Sequence, residues 1–361
     1  MELYQDLYPT QLYFGKIQDY KKELLIGKKC IIVTTTTSSY KLGIIDELKK
    51  LFEEEKIEYF IYDKITPNPL YINVEECVEL TKQFGGDFII GIGGGSAIDA
   101  AKSVSLMKNG VDIINDVVKN TGLPLTGILT LSGSGTEVTP YSILTFPNHS
   151  KKSIKSHMFL KNCIIDAEYQ NGLTPQYRAC LVVDILSHCL EAYLSIKATE
   201  RSMQASVDGI KLILEQYNRQ TKEFAVEKVD IIHSSIIGGA AITVAGTSVP
   251  HGLGYYITTT YNVSHGFACG IFSKAFLKLA ETQEISGPKL KKLYEQLQLE
   301  NGELGTIIND IVKKHMTPFS LNDMEKELDI IANEFFSTGK NKQHPDVLTE
   351  NDVKSIISQS F

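Results

Sequence analysis

The sequence contains no uninterrupted apolar run approaching the ~18 residues of a membrane helix, and no basic stretch leading into an apolar one at Met1-Glu2-Leu3-Tyr4-Gln5-Asp6. Neither a membrane span nor a secretory leader is therefore expected. Positive charge is not in excess either: 36 Lys and Arg stand against 43 Asp and Glu, for a formal net charge of −7. Without a basic stripe interleaved with aromatics, such a surface repels phosphate backbones, which excludes nucleic acid as an expected partner. The six cysteines (Cys30, Cys77, Cys163, Cys180, Cys189, Cys269) show no Cys-x-x-Cys spacing. That excludes a zinc ribbon or redox pair and leaves buried thiols in a reducing cytoplasm as the expectation. The dinucleotide fingerprint Gly-x-Gly-x-x-Gly is missing too, because the sixth place counted from Gly91 is Ser96.

What is present describes a soluble globule: 361 residues, 43% hydrophobic and 22% charged, enough chain for two domains. The first half alternates apolar runs (Cys30–Thr34, Tyr59–Tyr62, Phe88–Ile90) with helical periodicity near 42–55 and 74–84. This order predicts a parallel sheet covered on both faces. Beyond Thr174-Pro175 strand signals vanish, and helices are predicted near 179–196, 200–217, 228–246, 268–281, 287–298, 303–315, 321–336 and 350–359, with capping boxes at Ser320-x-x-Asp323 and Thr349-x-x-Asp352. The expected organisation is a nucleotide-binding α/β domain over residues 1–175 and an all-α metal-binding domain over 176–361.

The third strand runs into Gly91-Ile92-Gly93-Gly94-Gly95-Ser96, a turn in which the backbone can approach a bulky anion and a helix N-terminus can face it. Ser96 and Asp99 also fit a Ser-x-x-Asp capping box, which explains those two residues structurally. After a fourth strand candidate at Leu125–Thr130 comes Leu131-Ser132-Gly133-Ser134-Gly135-Thr136-Glu137-Val138-Thr139. Its small and hydroxylated residues suit either the wall of a ligand crevice or a flexible surface loop.

Asp184 and His188 lie one turn apart within helical periodicity, so both leave the same helix face. A carboxylate and an imidazole so placed suit a divalent transition ion, although such a pair is also a common cap or satisfied polar pair. His251 in Pro250-His251-Gly252 and His265 in Ser264-His265-Gly266 stand beside glycines and are candidates to complete a first shell.

The glycine run at 91–102, the 132–139 loop, the Asp184-x-x-x-His188-x-x-Glu191-Ala192-Tyr193 helix and the His265-Gly266 pair together resemble the iron-containing (group III) alcohol dehydrogenases. The resemblance runs end to end and includes Thr66-Pro67-Asn68-Pro69, Ile164-Ile165-Asp166 and the segment at 348–353. It implies a dehydroquinate synthase-like α/β domain followed by a helical one. It also implies a divalent metal, iron or zinc, on Asp184, His188, His251 and His265. A nicotinamide dinucleotide would rest its pyrophosphate on Gly93, Gly94, Gly95 and Ser96, with Asn68, Thr130, Ser134 and Lys152 lining it.

The implied reaction is hydride transfer between NAD or NADP and a small alcohol, aldehyde or ketone, in a homodimer. Two places depart from the family's pattern. A proton-relaying histidine found in many members is replaced by Tyr255, whose hydroxyl, with an unperturbed pKa of about 10, is a poorer relay near neutrality. Thr35 stands where NAD-preferring members often carry an acidic residue, which permits NADPH. The alternatives are a dehydroquinate synthase-like lyase with tightly held NAD, against which Asp184 speaks, and a non-catalytic binding relative, which Tyr255 favours. Lys152, Lys155 and Lys161 are candidates for contact with a small acidic aldehyde, or simply for a solvated surface.

Overall fold

The computed structural model describes residues 3–114, 122–147, 150–155, 158–218, 220–221, 223–224 and 228–361, with the side chains of Lys155, Glu223, Lys228 and Val229 outside what is described. The chain divides into two compact units, one spanning Tyr8–Asn171 and the other uniting Gly172–Phe361 with the N-terminal residues up to Leu7. Among the described residues no single helix is long and apolar enough to cross a membrane.

The first unit is built on β1 (Gln11–Phe14), β2 (Lys29–Thr35), β3 (Glu58–Ile65), β4 (Phe88–Gly93), β5 (Leu125–Leu129) and β8 (Asn162–Ile165), in the spatial order β1-β8-β5-β4-β2-β3. Every pairing is parallel. β4 and β5 are buried at every residue, as strands covered on both faces must be. Two strands of this sheet escape the sequence reading, β1 and β8. Each has only four residues, and their pairing joins Gln11 to Asn162. An antiparallel pair, β6 (Tyr141–Thr145) and β7 (Lys151–Lys155), stands outside the sheet. Because the chain goes from β2 outward to β3 and then returns to place β4 on the other side, the winding direction reverses between β2 and β4. In open α/β sheets, ligands bind at the carboxyl ends of the strands flanking such a reversal. Thr35 ends one of these strands and Gly93 the other.

The second unit is helical apart from the short strands Tyr217–Asn218 and Glu223–Phe224, which the sequence reading did not anticipate. Helix Pro175–Leu194 is its axis. Thr174 caps the helix by accepting from the Tyr177 N–H at 3.2 Å, Pro175 opens it, and every residue from Ala179 to Leu194 is buried. A helix buried on all sides needs neighbours on all sides. Val249–Thr260 and His265–Ala280 both pack against it. The approach of the latter is very close: a Cβ on Gly266 would meet the Cys180 carbonyl at 2.1 Å and the Asp184 Cβ at 3.0 Å. Only glycine lets that contact form.

The N-terminal residues are tied to this unit by a two-pronged Arg201–Asp6 pair, at 2.8 and 2.9 Å, and by the Arg201 guanidinium 4.3 Å from the Tyr4 ring centre. Thr349 and Asp352 form the expected capping box. Ser320 does not cap; Asp323 is itself the N-cap of Met324–Ser337 and accepts from Lys326 N at 3.2 Å. A carboxylate adjacent to the first turn wins that role from a hydroxyl three residues earlier.

Candidate metal centre and cofactor turn

Asp184, His188 and Glu191 project from one face of helix Pro175–Leu194 at i, i+4 and i+7. His251 arrives in the first turn of Val249–Thr260, where Pro250 fills a position whose N–H needs no helical partner. His265 is the first residue of its own helix. Asp184 Oδ1 lies 3.5 Å from His251 Nε2 and 3.8 Å from His188 Nε2. These separations are too long for good hydrogen bonds. They approach the ~3.3 Å between two ligands held tetrahedrally by bonds of about 2.0–2.1 Å. The ring centres of His188 and His251 are 4.6 Å apart, and those of His251 and His265 are 5.3 Å apart.

Asp184 Oδ1 and His251 Nε2 are buried without a hydrogen-bond partner. Leaving such atoms unpaired costs about 1–3 kcal/mol each, so their orphaning at a common point calls for a cation. Burial pushes the Asp184 carboxyl up, but the neighbouring His188, His251 and His265 outweigh it and hold the group well below the usual carboxylate range. Burial drives His188 down to about 4, against the pull of Asp184, and keeps it the neutral imidazole that a metal needs.

Two residues of this centre had no role in the sequence reading. Glu191 is fully buried; its Oε1 pairs with His251 Nδ1 at 2.5 Å, and its Oε2 accepts from Ser248 N at 2.5 Å. A proton held on Nδ1 leaves the lone pair of Nε2 for an ion. Ser248 is the N-cap residue, yet it makes no side-chain cap; Glu191 takes the N-terminal N–H instead. The second is Cys269. Asp184, His251, His265 and Cys269 offer ligand atoms all within 4.8 Å of one another, and Cys269 Sγ is 3.8 Å from His265 Nε2. His188 lies outside that group and approaches through Asp184 and His251. The signal was present in the sequence, since His265-x-x-x-Cys269 repeats the spacing of Asp184-x-x-x-His188. Tyr255 is 7% exposed and its ring stacks 6.1 Å from that of His265.

In the α/β unit, β4 ends at Gly93, and helix Gly95–Lys108 follows Gly94, with no side chain capping it. Its first N–H groups are therefore not spent on a cap and suit a pyrophosphate. The expected Ser96–Asp99 capping box is not formed. Asp99 turns inward, accepting from Thr136 Oγ1 at 2.6 Å and Ile143 N at 2.9 Å. Its neighbour Lys102, fully buried, donates to Thr136 O (2.8 Å), Thr136 Oγ1 (3.0 Å), Thr139 O (2.9 Å) and Tyr141 O (3.0 Å). Burial brings Lys102 down to about 8, although Asp99 and Glu137 favour its charge.

The Ser132–Thr139 loop is consequently pinned and almost wholly buried, and is not a flexible surface loop. Thr130 N donates to Gly93 O at 3.0 Å, and a Cβ on Gly95 would meet Ser134 Oγ at 2.8 Å. Gly93, Gly94, Gly95, Ser96, Thr130 and Ser134 are thus brought together. Asn68 and Lys152 are joined to a different patch: Thr145 N donates to Pro69 O at 2.8 Å, Tyr71 stacks on Phe146 at 4.9 Å, and Lys152 Nζ is 5.1 Å from the Phe146 ring. Thr35 Oγ1 bonds Ser38 Oγ at 2.9 Å.

The sequence profile of iron-containing alcohol dehydrogenases matches residues 9–167, and that of the C-terminal region of Fe-containing alcohol dehydrogenases matches 179–361. Alcohol dehydrogenase 4 of Schizosaccharomyces pombe is 26% identical over 373 residues, covering 98% of this chain and 88% of the yeast protein. Sulfoacetaldehyde reductase of Bilophila wadsworthia is 29% identical over 285 residues, covering 75% of this chain and 73% of that protein. The crystal structure of an iron-containing alcohol dehydrogenase from Thermotoga maritima superposes with a TM-score of 0.85 at 28% identity, covering 98% of both chains. The chain belongs to the iron-containing alcohol dehydrogenase family and is an alcohol and aldehyde oxidoreductase, a class that works with a divalent metal and a nicotinamide cofactor.

Proposed function

We propose that Asp184, His188, His251 and His265 hold the metal, Fe2+ before Zn2+, and that Gly93–Ser96 with Thr130 and Ser134 cradle NADP or NAD for reversible conversion of a small aldehyde to its alcohol. The observation that carries this reading is the pair of buried, unpartnered ligand atoms on Asp184 and His251, ringed by the other two imidazoles. When bound, the ion supplies Lewis acidity toward the substrate oxygen and the nicotinamide supplies or takes the hydride.

The chain's own residues do the rest. The acidic Asp184 remains ionised, Glu191 fixes the His251 tautomer, and burial of Asp184, His188 and His251 excludes bulk water. Tyr255, beside His265, is assigned the proton relay; Tyr255→Phe then lowers kcat by at least tenfold with a changed pH profile, whereas an unchanged profile removes the assignment. Asn68 and Lys152 are assigned to the outer part of the dinucleotide. At the end of β2, Thr35 carries no carboxylate to repel a 2′-phosphate, which favours NADP.

The reading is tested by loading purified protein with Fe2+ or Zn2+ and following nicotinamide absorbance with NADPH or NADH against a broad aldehyde panel. Turnover that depends on metal and disappears in His265→Ala supports it. No absorbance change with any aldehyde under either metal overturns it.

A further inference from the structure

The family reaction explains the ligand set and the glycine turn, yet it leaves one charge beside the metal centre without a purpose. Lys340 opens the 3-10 turn Lys340–Gln343, directly after Gly339, whose φ of +68° sets the turn. Its ammonium lies 5.4 Å from the centre of the Tyr255 ring, the same ring that stacks on His265. It also bonds Thr247 Oγ1, four residues before His251. Among the described residues no carboxylate pairs with it.

The turn is also held in place. Ile196 N donates to Gln343 O at 2.9 Å, His344 Nε2 meets Gln283 Oε1 at 2.7 Å, and Lys340 N donates to Thr338 Oγ1 at 3.2 Å. A half-buried cation on an anchored turn, resting on an aromatic face and lacking a counter-ion, is preorganised for an anion. The lysines singled out in the sequence do not compete for the role: Lys152 rests on Phe146, and Lys161 is exposed.

We propose that Lys340 binds an anionic group of the substrate, and that the substrate is a short-chain aldehyde or primary alcohol bearing a carboxylate, sulfonate or phosphonate close to the reacting carbon. This rests on the proposed metal-dependent reduction and adds its substrate class. A charge-assisted contact of this kind distinguishes an anionic substrate from a neutral one of the same size by about ten- to a hundredfold.

The test compares kcat/KM of the metal-loaded enzyme for sulfoacetaldehyde, phosphonoacetaldehyde and succinic semialdehyde with that for propanal and butanal, in wild type, Lys340→Met, Lys340→Gln and Lys340→Arg. Calorimetry with the non-reducible anion ethanesulfonate is added, on cofactor-saturated protein, with thermal melting to confirm the folding of each variant. The expected result is that at least one anionic aldehyde is preferred by tenfold or more. The anionic-to-neutral ratio then falls ten- to a hundredfold in Lys340→Met and Lys340→Gln, chiefly through KM, and Lys340→Arg restores most of it. The member preferred among the three anions identifies the group. A wild-type ratio near one, or a ratio unmoved in folded Lys340→Met, overturns the proposal while leaving aldehyde reduction standing. If no aldehyde is reduced at all, the reaction fails and ethanesulfonate decides separately. Binding lost in Lys340→Met and kept in Lys340→Arg supports the anion locus, and equal binding in all variants overturns it.

Discussion

At the scale of single residues the centre depends on atoms whose hydrogen-bonding capacity is spent in the right direction. Glu191 is the clearest case, because its carboxylate uses one oxygen on His251 Nδ1 and the other on the N–H of Ser248. Glu191→Gln keeps the shape but can no longer hold a proton on Nδ1 by charge. Metal affinity is expected to fall about 10–100-fold, as for other partners that orient a ligand. Competition with a coloured chelator measures this directly, and an affinity within twofold of wild type would show Glu191 to be merely a buried acid. The spacing of Asp184 and His188 shows in the sequence that both leave one helix face, although the same spacing also suits a satisfied polar pair. His251 and His265 carry no periodic signal; their place beside glycines made them candidates, and the family resemblance implied their role. Lys340 was unreadable for a simpler reason. Nothing in Gly339-Lys340-Asn341 says that the turn folds back onto Tyr255.

At the scale of elements, glycines at helix crossings decide whether the ligands converge. In Gly266→Ala the new Cβ meets backbone oxygen at 2.1 Å, so the His265 helix must retreat from Asp184. Overpacking of this kind costs about 1–3 kcal/mol, and a shift of the helix removes His265 from the cluster. The variant is expected to melt lower and to bind metal at substoichiometric levels in elemental analysis; full occupancy would mean that the crossing tolerates the methyl group.

The turn carrying Lys340 has its own dependence on acidity. Burial, opposed by Asp346, brings His344 down to about 4, so the folded protein refuses a proton that the unfolded chain accepts below pH ~6.5. Stability present above pH ~6.5 is therefore lost as pH falls toward 4, by on the order of 3 kcal/mol. Urea titrations at successive pH values should show this acid slope flattened in His344→Gln, and an identical slope in both proteins would contradict it. Elements with long apolar runs were legible in advance, β2 and β4 above all. The capping boxes at Ser96 and Ser320 were misread because a four-residue pattern cannot reveal a competing partner. Thr136 Oγ1 and Ile143 N take the Asp99 carboxylate away from its helix, and Asp323 stands closer to its own.

At the scale of the molecule, two compact units carry two different candidate sites, and all the metal-ligand candidates lie in the helical one. Zinc added to metal-free protein at a hundred times its dissociation constant is expected to stabilise that unit by about 2.7 kcal/mol, which for its size raises its unfolding temperature by roughly 5–10 °C. Scanning calorimetry should record the rise in wild type and lose it in Asp184→Ala; a rise retained in that variant would place the metal elsewhere. The two-unit division was visible in the change from alternating to purely helical pattern. The allegiance of the first residues was not, since it rests on Arg201 reaching Asp6.

The pairing of β1 with β8 carries a consequence for how the protein is made. Gln11 and its neighbours leave the ribosome well before their partner strand, which begins at Asn162. Until that strand emerges the nascent chain holds one with nothing to bind, and it is then that another polypeptide's free edge can capture it. A chain stopped anywhere short of Ile165 keeps that liability permanently, which makes early termination in this gene a hazard to solubility as well as a loss of enzyme.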